Sequence, residues 1–179
     1  MSGYCDIAQG HEWHGPYHDT EYGFPVRDEA ILFERLILEI NQAGLSWLTI
    51  LKKREGFTAA YAGFDVDTVA DYGAKDHERL LNDAGIIRNR LKVNAAISNA
   101  QRIREMRDSH GGFAAWLDAQ HPLMKEEWVK LFKKTFRFTG GEITHSFLMS
   151  AGDLPGAHHE NCPIFKKVAK LDPPWMQVT

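Results

Sequence analysis

The sequence predicts an all-α protein on three observations. Apolar residues recur at helical spacing through most of the chain, no stretch sustains the alternation of a strand, and glycines and capping residues punctuate the periodic segments. Asp28 stands as an N-cap before Phe33, Leu36, Ile37 and Ile40, whose spacing defines an amphipathic helix ending at Gly44. Ser46 caps a second helix that runs through Trp47, Ile50 and Leu51 toward Gly56, with Lys52, Lys53 and Arg54 in its last turn. Further helical patterns cover roughly residues 66–72, 76–84, 88–109, 113–119, 124–134, 142–150 and 162–171, separated by Gly85, Gly111-Gly112 and Gly140-Gly141. The expected architecture is a packed set of about eight or nine short helices with short connections and no linker domain. One domain spanning residues 1–179 follows from that length.

Segment 130–150 has a more particular shape. A basic amphipathic helix runs into Phe136-Arg137-Phe138-Thr139-Gly140-Gly141 and then into another apolar helix. A glycine-bearing turn lets backbone N–H groups approach a phosphate, and the N-terminus of the next helix adds partial positive charge. An ordinary helix–helix turn reads equally well from these residues alone.

Composition narrows the class. Hydrophobic residues at 44% and charged residues at 25% describe a folded globular chain without a long disordered tract. The opening residues lack a basic region followed by an apolar run, and no run of about eighteen apolar residues occurs. Neither secretion nor membrane insertion is expected, and a cytoplasmic monomer is. The net charge of −3 argues against a uniformly basic surface. Its distribution still allows one basic face: Arg88, Arg90 and Lys92 form one cluster and Lys130, Lys133, Lys134 and Arg137 another, while acids gather at 65–83. The alternative is a set of solvated helix faces.

The two cysteines lie near opposite ends, Cys5 followed by His18, and Cys162 preceded by His158. Two thiolates and two imidazoles suit a closed tetrahedral zinc site, structural rather than catalytic because no coordination position stays open. Two free thiols, a disulfide, or His159 in place of His158 are the other readings, and a disulfide is disfavoured without a secretion signal.

Tyr17 precedes His18, so whatever fixes His18 restrains the phenol beside it. Glu39 sits at the margin of the apolar stripe of its helix, where a carboxylate needs a partner; Arg35, one turn earlier, is the candidate for a surface ion pair. Trp47 follows a tight turn soon after. A carboxylate, a phenol and an indole together suit a flat, hydrogen-bonding ligand such as a purine; a core tryptophan is the plainer reading of Trp47.

Taken together, Tyr17-His18-Asp19-x-Glu21-Tyr22-Gly23-x-Pro25 and Leu38-Glu39-x-x-Gln42-Ala43-Gly44-Leu45-Ser46-Trp47 resemble the 3-methyladenine DNA glycosylase I family. The resemblance continues through Leu51-Lys52-Lys53-Arg54-Glu55, Asp83-Ala84-Gly85-Ile86-Ile87-Arg88-x-Arg90-x-Lys92 and the Phe136-to-Phe147 region. It implies a helix-hairpin-helix DNA glycosylase fold, with that element at about 124–150, and one structural Zn2+ joining segments 5–18 and 158–162 through Cys5, His18, His158 and Cys162. It implies excision of 3-methyladenine from double-stranded DNA in base-excision repair, with Tyr17 and Glu39 as catalytic and base-binding residues and Trp47 and Tyr22 at the base. Gln42, Gly44 and Leu45 would border the DNA, Leu45 filling the space left by the flipped base, while Arg137, Thr139 and Gly140 grip the backbone.

The chain departs from the family pattern at several positions. Asp6 and Ile7 follow Cys5 where the family has a tryptophan shortly after it, so one aromatic wall is expected to be missing. Tyr22 replaces a tryptophan, Asn41 a glutamine and His145 a tyrosine, and Thr135 and Gly141 differ in the hairpin. An altered base spectrum is expected from these changes. A lesion-binding protein without excision, on the same fold, is the rival reading, and a hydrolase with catalytic zinc is a third.

Overall fold

The computed structural model describes residues 3–177; positions 1, 2, 178 and 179 of the expected 1–179 domain lie outside the described residues. Twelve α-helices and two 3-10 turns make up the described chain, which contains no strand. The helices are α1 (Tyr4–Ala8), α2 (His14–Thr20), α3 (Glu29–Gln42), α4 (Trp47–Lys52), α5 (Arg54–Ala60), α6 (Val66–Ala70), α7 (Ala74–Leu81), α8 (Arg90–His110), α9 (Phe113–Gln120), α10 (Lys125–Thr135), α11 (Gly141–Ser150) and α12 (Pro163–Ala169). Among the described residues none is long and apolar enough to cross a membrane.

Helix α3 is the axis of the fold. Asp28 caps it by accepting from the Ile31 N–H at 3.0 Å, and Phe33, Leu36, Ile37 and Ile40 are all buried in one core with residues of α5, α6, α8, α9, α10 and α11. Helix α4 begins as expected, with the Ser46 hydroxyl accepting from the Thr49 N–H. It is shorter than the sequence suggests: the chain kinks at Lys53, and Arg54 opens the separate helix α5. Helix α8 carries an Asn89 cap at its start and stops at Gly111, whose φ of 90° is the left-handed conformation that ends helices.

The turn between α10 and α11 is fastened to α8. Asn99, buried on α8, accepts the Arg137 N–H at 2.8 Å and donates to the Arg137 carbonyl at 3.1 Å. The Thr139 hydroxyl donates to the Phe132 carbonyl at 3.0 Å from a buried position. A small second core of Cys162, Ile164 and Val168 with Cys5, Phe24 and Phe165 joins the two ends of the chain.

Candidate functional site

Seven residues from six parts of the chain line one small cavity, ≈ 210 Å³ in volume: Tyr4 on α1, Tyr17 on α2, Tyr22 just beyond it, Glu39 and Gln42 on α3, Trp47 on α4 and Ser146 on α11. Larger hollows exist, one of ≈ 660 Å³ beside Trp13 and one of ≈ 590 Å³ beside His121. The small one is singled out by its chemistry. Its rings meet at defined angles, Tyr17 lying 5.3 Å from Trp47 and 5.8 Å from Tyr22, and Tyr4 standing edge-on to Tyr22 at 5.2 Å.

Two polar groups in this cavity lack internal partners. The Tyr17 hydroxyl is buried and unbonded, an arrangement that costs roughly 1–3 kcal/mol without a ligand. Glu39 is 6% exposed, and no hydrogen bond reaches its carboxyl among the described residues. Burial pushes its pKa up to about 8, with the charge of Arg35 opposing that shift. Burial likewise raises the Tyr17 phenol well above its usual range, so it enters the site as a neutral hydroxyl.

Arg35 is not the surface partner that its spacing suggests. It is 2% exposed, donates to the Ser150 carbonyl at 3.1 Å, and approaches Glu21 at 3.6 Å. Its guanidinium stands 5.3 Å from the Tyr17 ring centre, and that of Arg54 stands 5.8 Å away. Arg54 holds both carboxylate oxygens of Glu21 at 2.6 Å and Glu34 at 2.6 Å. These cations fix α2 and the Tyr17 ring against α3 and α5.

The four metal-ligand candidates converge. The donor atoms of Cys5, His18, His158 and Cys162 all lie within 4.8 Å of one another, a group able to hold a metal ion. His158 Nε2 donates to the Tyr22 carbonyl at 2.6 Å and His18 Nδ1 donates to the Asp19 carboxylate at 2.7 Å. Those bonds use the proton of each neutral ring, which leaves the lone pairs of His18 Nε2 and His158 Nδ1 facing one another at 3.1 Å. Cys162 Sγ is 3.8 and 3.9 Å from these nitrogens, and Cys5 Sγ is 3.9 Å from His158. Zinc bonds of ~2.0–2.1 Å to nitrogen and ~2.3 Å to sulfur span tetrahedral edges of roughly 3.3–3.8 Å, close to these separations, and two thiols with two imidazole nitrogens are donor types which that ion takes.

The remaining expected residues are placed as follows. Gly44 adopts φ +80°, and the turn it forms is braced by a Gln42 Nε2 bond to the Leu45 carbonyl at 2.9 Å. Leu45 points outward, 39% exposed. Arg137 and Gly140 are exposed at the α10–α11 turn, and Lys130, Lys133 and Lys134 are exposed on α10. The Thr139 side chain is turned inward and the residue as a whole is buried.

Lys92 does not belong to the basic face. It is 5% exposed, and its ammonium donates to the Asn41 and Ala43 carbonyls at 2.8 and 2.7 Å, closing the C-terminus of α3 just before Gly44. Asp6 faces the hollow beside the metal group rather than the small cavity, Ile7 is 54% exposed, and His145 lines the hollow beside His121. Tyr4, which precedes Cys5, lines the small cavity, whereas Asp6 and Ile7 do not. Sequence reasoning also passed over Ser146.

The profile of the methyladenine glycosylase family matches residues 8–166. The chain is 37% identical to DNA-3-methyladenine glycosylase 1 of Escherichia coli, over 82% of this chain and 88% of that protein. It is 35% identical to DNA-3-methyladenine glycosylase of Haemophilus influenzae, over 82% and 89%. A crystal structure of 3-methyladenine DNA glycosylase I shares 34% identity and a TM-score of 0.79, covering 89% of this chain and 97% of that one. A complex of a tyrosine-to-phenylalanine variant of 3-methyladenine DNA glycosylase I with 3-methyladenine shares 31% identity and a TM-score of 0.78, covering 88% and 95%. The matched span takes in every lining residue of the aromatic cavity except Tyr4, and every metal-ligand candidate except Cys5, and the chain belongs to the methyladenine glycosylase family.

Proposed function

We propose that this chain is a base-excision-repair glycosylase that hydrolyses the N-glycosidic bond of 3-methyladenine in double-stranded DNA. One observation carries the reading: a cavity with room for a single flat heterocycle, in which a buried carboxyl and a buried hydroxyl lack internal partners among aromatic rings. The relatives' activity and the relative's complex with 3-methyladenine support it.

Alkylation at N3 makes adenine cationic and weakens its bond to the sugar. The lesion leaves the stack at a cost on the order of a few kcal/mol, lower when it pairs poorly. Inside the cavity Trp47 and Tyr22 meet its faces and the Tyr17 hydroxyl offers a hydrogen bond. Glu39 ionises against the positive charge of the base, which favours the lesion over neutral adenine. The electrons of the breaking bond pass to the base, which departs neutral, and water adds to C1′ of the sugar with loss of a proton. Gln42, Gly44 and Leu45 border the DNA. Arg137, Gly140 and the first N–H groups of α11 hold backbone phosphates in a helix-hairpin-helix grip, to which the buried Thr139 contributes by bracing the turn.

Cys5, His18, His158 and Cys162 would hold one Zn2+, whose closed coordination supplies rigidity and no reaction step. The chain acts as one domain and as a monomer, on DNA in the cytoplasm. Single-turnover release from duplexes carrying 3-methyladenine, 3-methylguanine or 7-methylguanine tests the reading. Release of 3-methyladenine that slows in Glu39→Gln and Tyr17→Phe is expected. Tight binding to an abasic-site duplex without release of any base would replace the enzyme by a lesion-binding protein.

A further inference from the structure

Tyr4 lies outside every motif that marks the family in this sequence, yet it forms a wall of the small cavity. Its ring is edge-on to Tyr22 at 5.2 Å and 80°, to His14 at 5.4 Å and 86°, and to His18 at 5.8 Å and 62°. Its hydroxyl lies 3.0 Å from His14 Nδ1. His14 is itself fixed: it is 8% exposed, its backbone N–H donates to His11 Nδ1 at 3.2 Å, and the two imidazoles pack at 4.6 Å. A five-residue helix such as α1 has little stability of its own, so its orientation depends on contacts of this kind.

We propose that Tyr4 is a base-binding residue, the aromatic wall that Asp6 and Ile7 do not provide, and that His14 is the positioning residue that holds it in the cavity. The inference rests on the proposed base pocket and deepens it. Asp6 and Ile7 are turned away from the cavity, so the segment around Cys5 can contribute an aromatic face only through Tyr4. A ring at this place adds stacking surface, which is tolerant of base identity because every base has a π-face. The predicted consequence is tighter holding of alkylated purines generally, rather than finer discrimination among them. His14 does not line the cavity, so it acts through the Tyr4 hydroxyl.

The experiment measures binding of free 3-methyladenine by the quenching of intrinsic tryptophan fluorescence and single-turnover release from lesion duplexes, with metal content and Tm followed for each variant. Tyr4→Ala is expected to weaken base binding on the order of 10-fold and slow release of all three methylated purines by similar factors. Tyr4→Phe and His14→Ala are expected to raise the half-saturating duplex concentration a few-fold and to slow saturated release less than Tyr4→Ala does, and His14→Gln, which retains an acceptor, to recover the wild-type value. Wild-type affinity in folded Tyr4→Ala would overturn the proposal for Tyr4. If Tyr4→Ala does not fold, wild-type behaviour of both Tyr4→Phe and His14→Ala overturns it instead. Wild-type protein that neither binds nor releases the base would overturn the pocket reading itself, an outcome distinct from wild-type binding that Tyr4 does not influence.

Discussion

His18 Nε2 and His158 Nδ1 face one another at 3.1 Å, and each ring has committed its proton elsewhere, to Asp19 and to the Tyr22 carbonyl. Two lone pairs at that distance repel unless a cation binds both, and two sulfurs complete the ring of donors. Purified protein is therefore expected to carry about one zinc per chain, and Cys162→Ser to carry less. Chelation should lower Tm, because metal bound only by the folded chain contributes to folding free energy. Elemental analysis checks the metal content; equal metal in Cys162→Ser and wild type would remove Cys162 from the site.

Glu39 is expected to link stability and activity through one proton. Its carboxyl has an ordinary pKa near 4.5 when unfolded and one raised to about 8 in the native chain. Between those values the native state holds a proton that the unfolded state lacks, so stability falls as pH rises from 4.5 toward 8 and levels off above it. The effect is on the order of a few kcal/mol. Glu39→Gln should thus gain Tm over wild type progressively from pH 5 to 8. The specificity constant of wild type for a 3-methyladenine duplex should rise over the same range, as the empty site ionises. In Glu39→Gln it should be low and flat. A Tm difference independent of pH would deny the raised pKa.

Much of this site was legible in the sequence because its residues sit on strongly periodic or capped elements. Glu39 was placed by the apolar stripe of α3, and Trp47 by the Ser46 cap. Tyr4 and the helices α1 and α2 were not legible. They are five and seven residues long, α2 contains Gly15 and Pro16, and tertiary packing rather than periodicity makes them helical. Arg35 and Lys92 misled for a different reason. Charge alone does not say whether a long side chain ends in water or on a buried carbonyl, and both end on carbonyls.

Lys92 can be separated experimentally from the basic residues around it. Lys92→Met keeps the aliphatic stem but leaves the Asn41 and Ala43 carbonyls without their ammonium, at an expected cost of about 1–3 kcal/mol. The salt dependence of DNA binding should keep its wild-type slope, since no phosphate contact is lost. Arg90→Ala, on the exposed start of the same helix, should leave Tm nearly unchanged and reduce that slope by about 1. Denaturation together with a salt titration of duplex affinity distinguishes them, and a reduced slope in Lys92→Met would return it to the DNA face.

Leu45 poses the opposite case, a side chain expected to become buried only in the complex with DNA. Its backbone is held at both ends, the N–H by the Gln42 carbonyl at 2.7 Å and the carbonyl by Gln42 Nε2 at 2.9 Å, while the side chain projects from the turn at 39% exposure. An apolar group presented on so rigid a turn suits insertion into the gap that a flipped base leaves in the stack. Leu45→Ala removes little buried surface from the free protein and should leave Tm nearly unchanged. It should slow single-turnover release from a paired duplex on the order of 10-fold, yet barely affect a single-stranded oligonucleotide carrying the same lesion, which has no duplex stack to refill. Gly44→Ala provides the contrast. A Cβ there meets no atom within 4 Å, but φ of +80° strains any L-residue, so stability should fall by about 1 kcal/mol and both substrates should suffer alike. Equal slowing of duplex and single strand by Leu45→Ala would make Leu45 a rim residue of the cavity and leave the flipped base's place to another group.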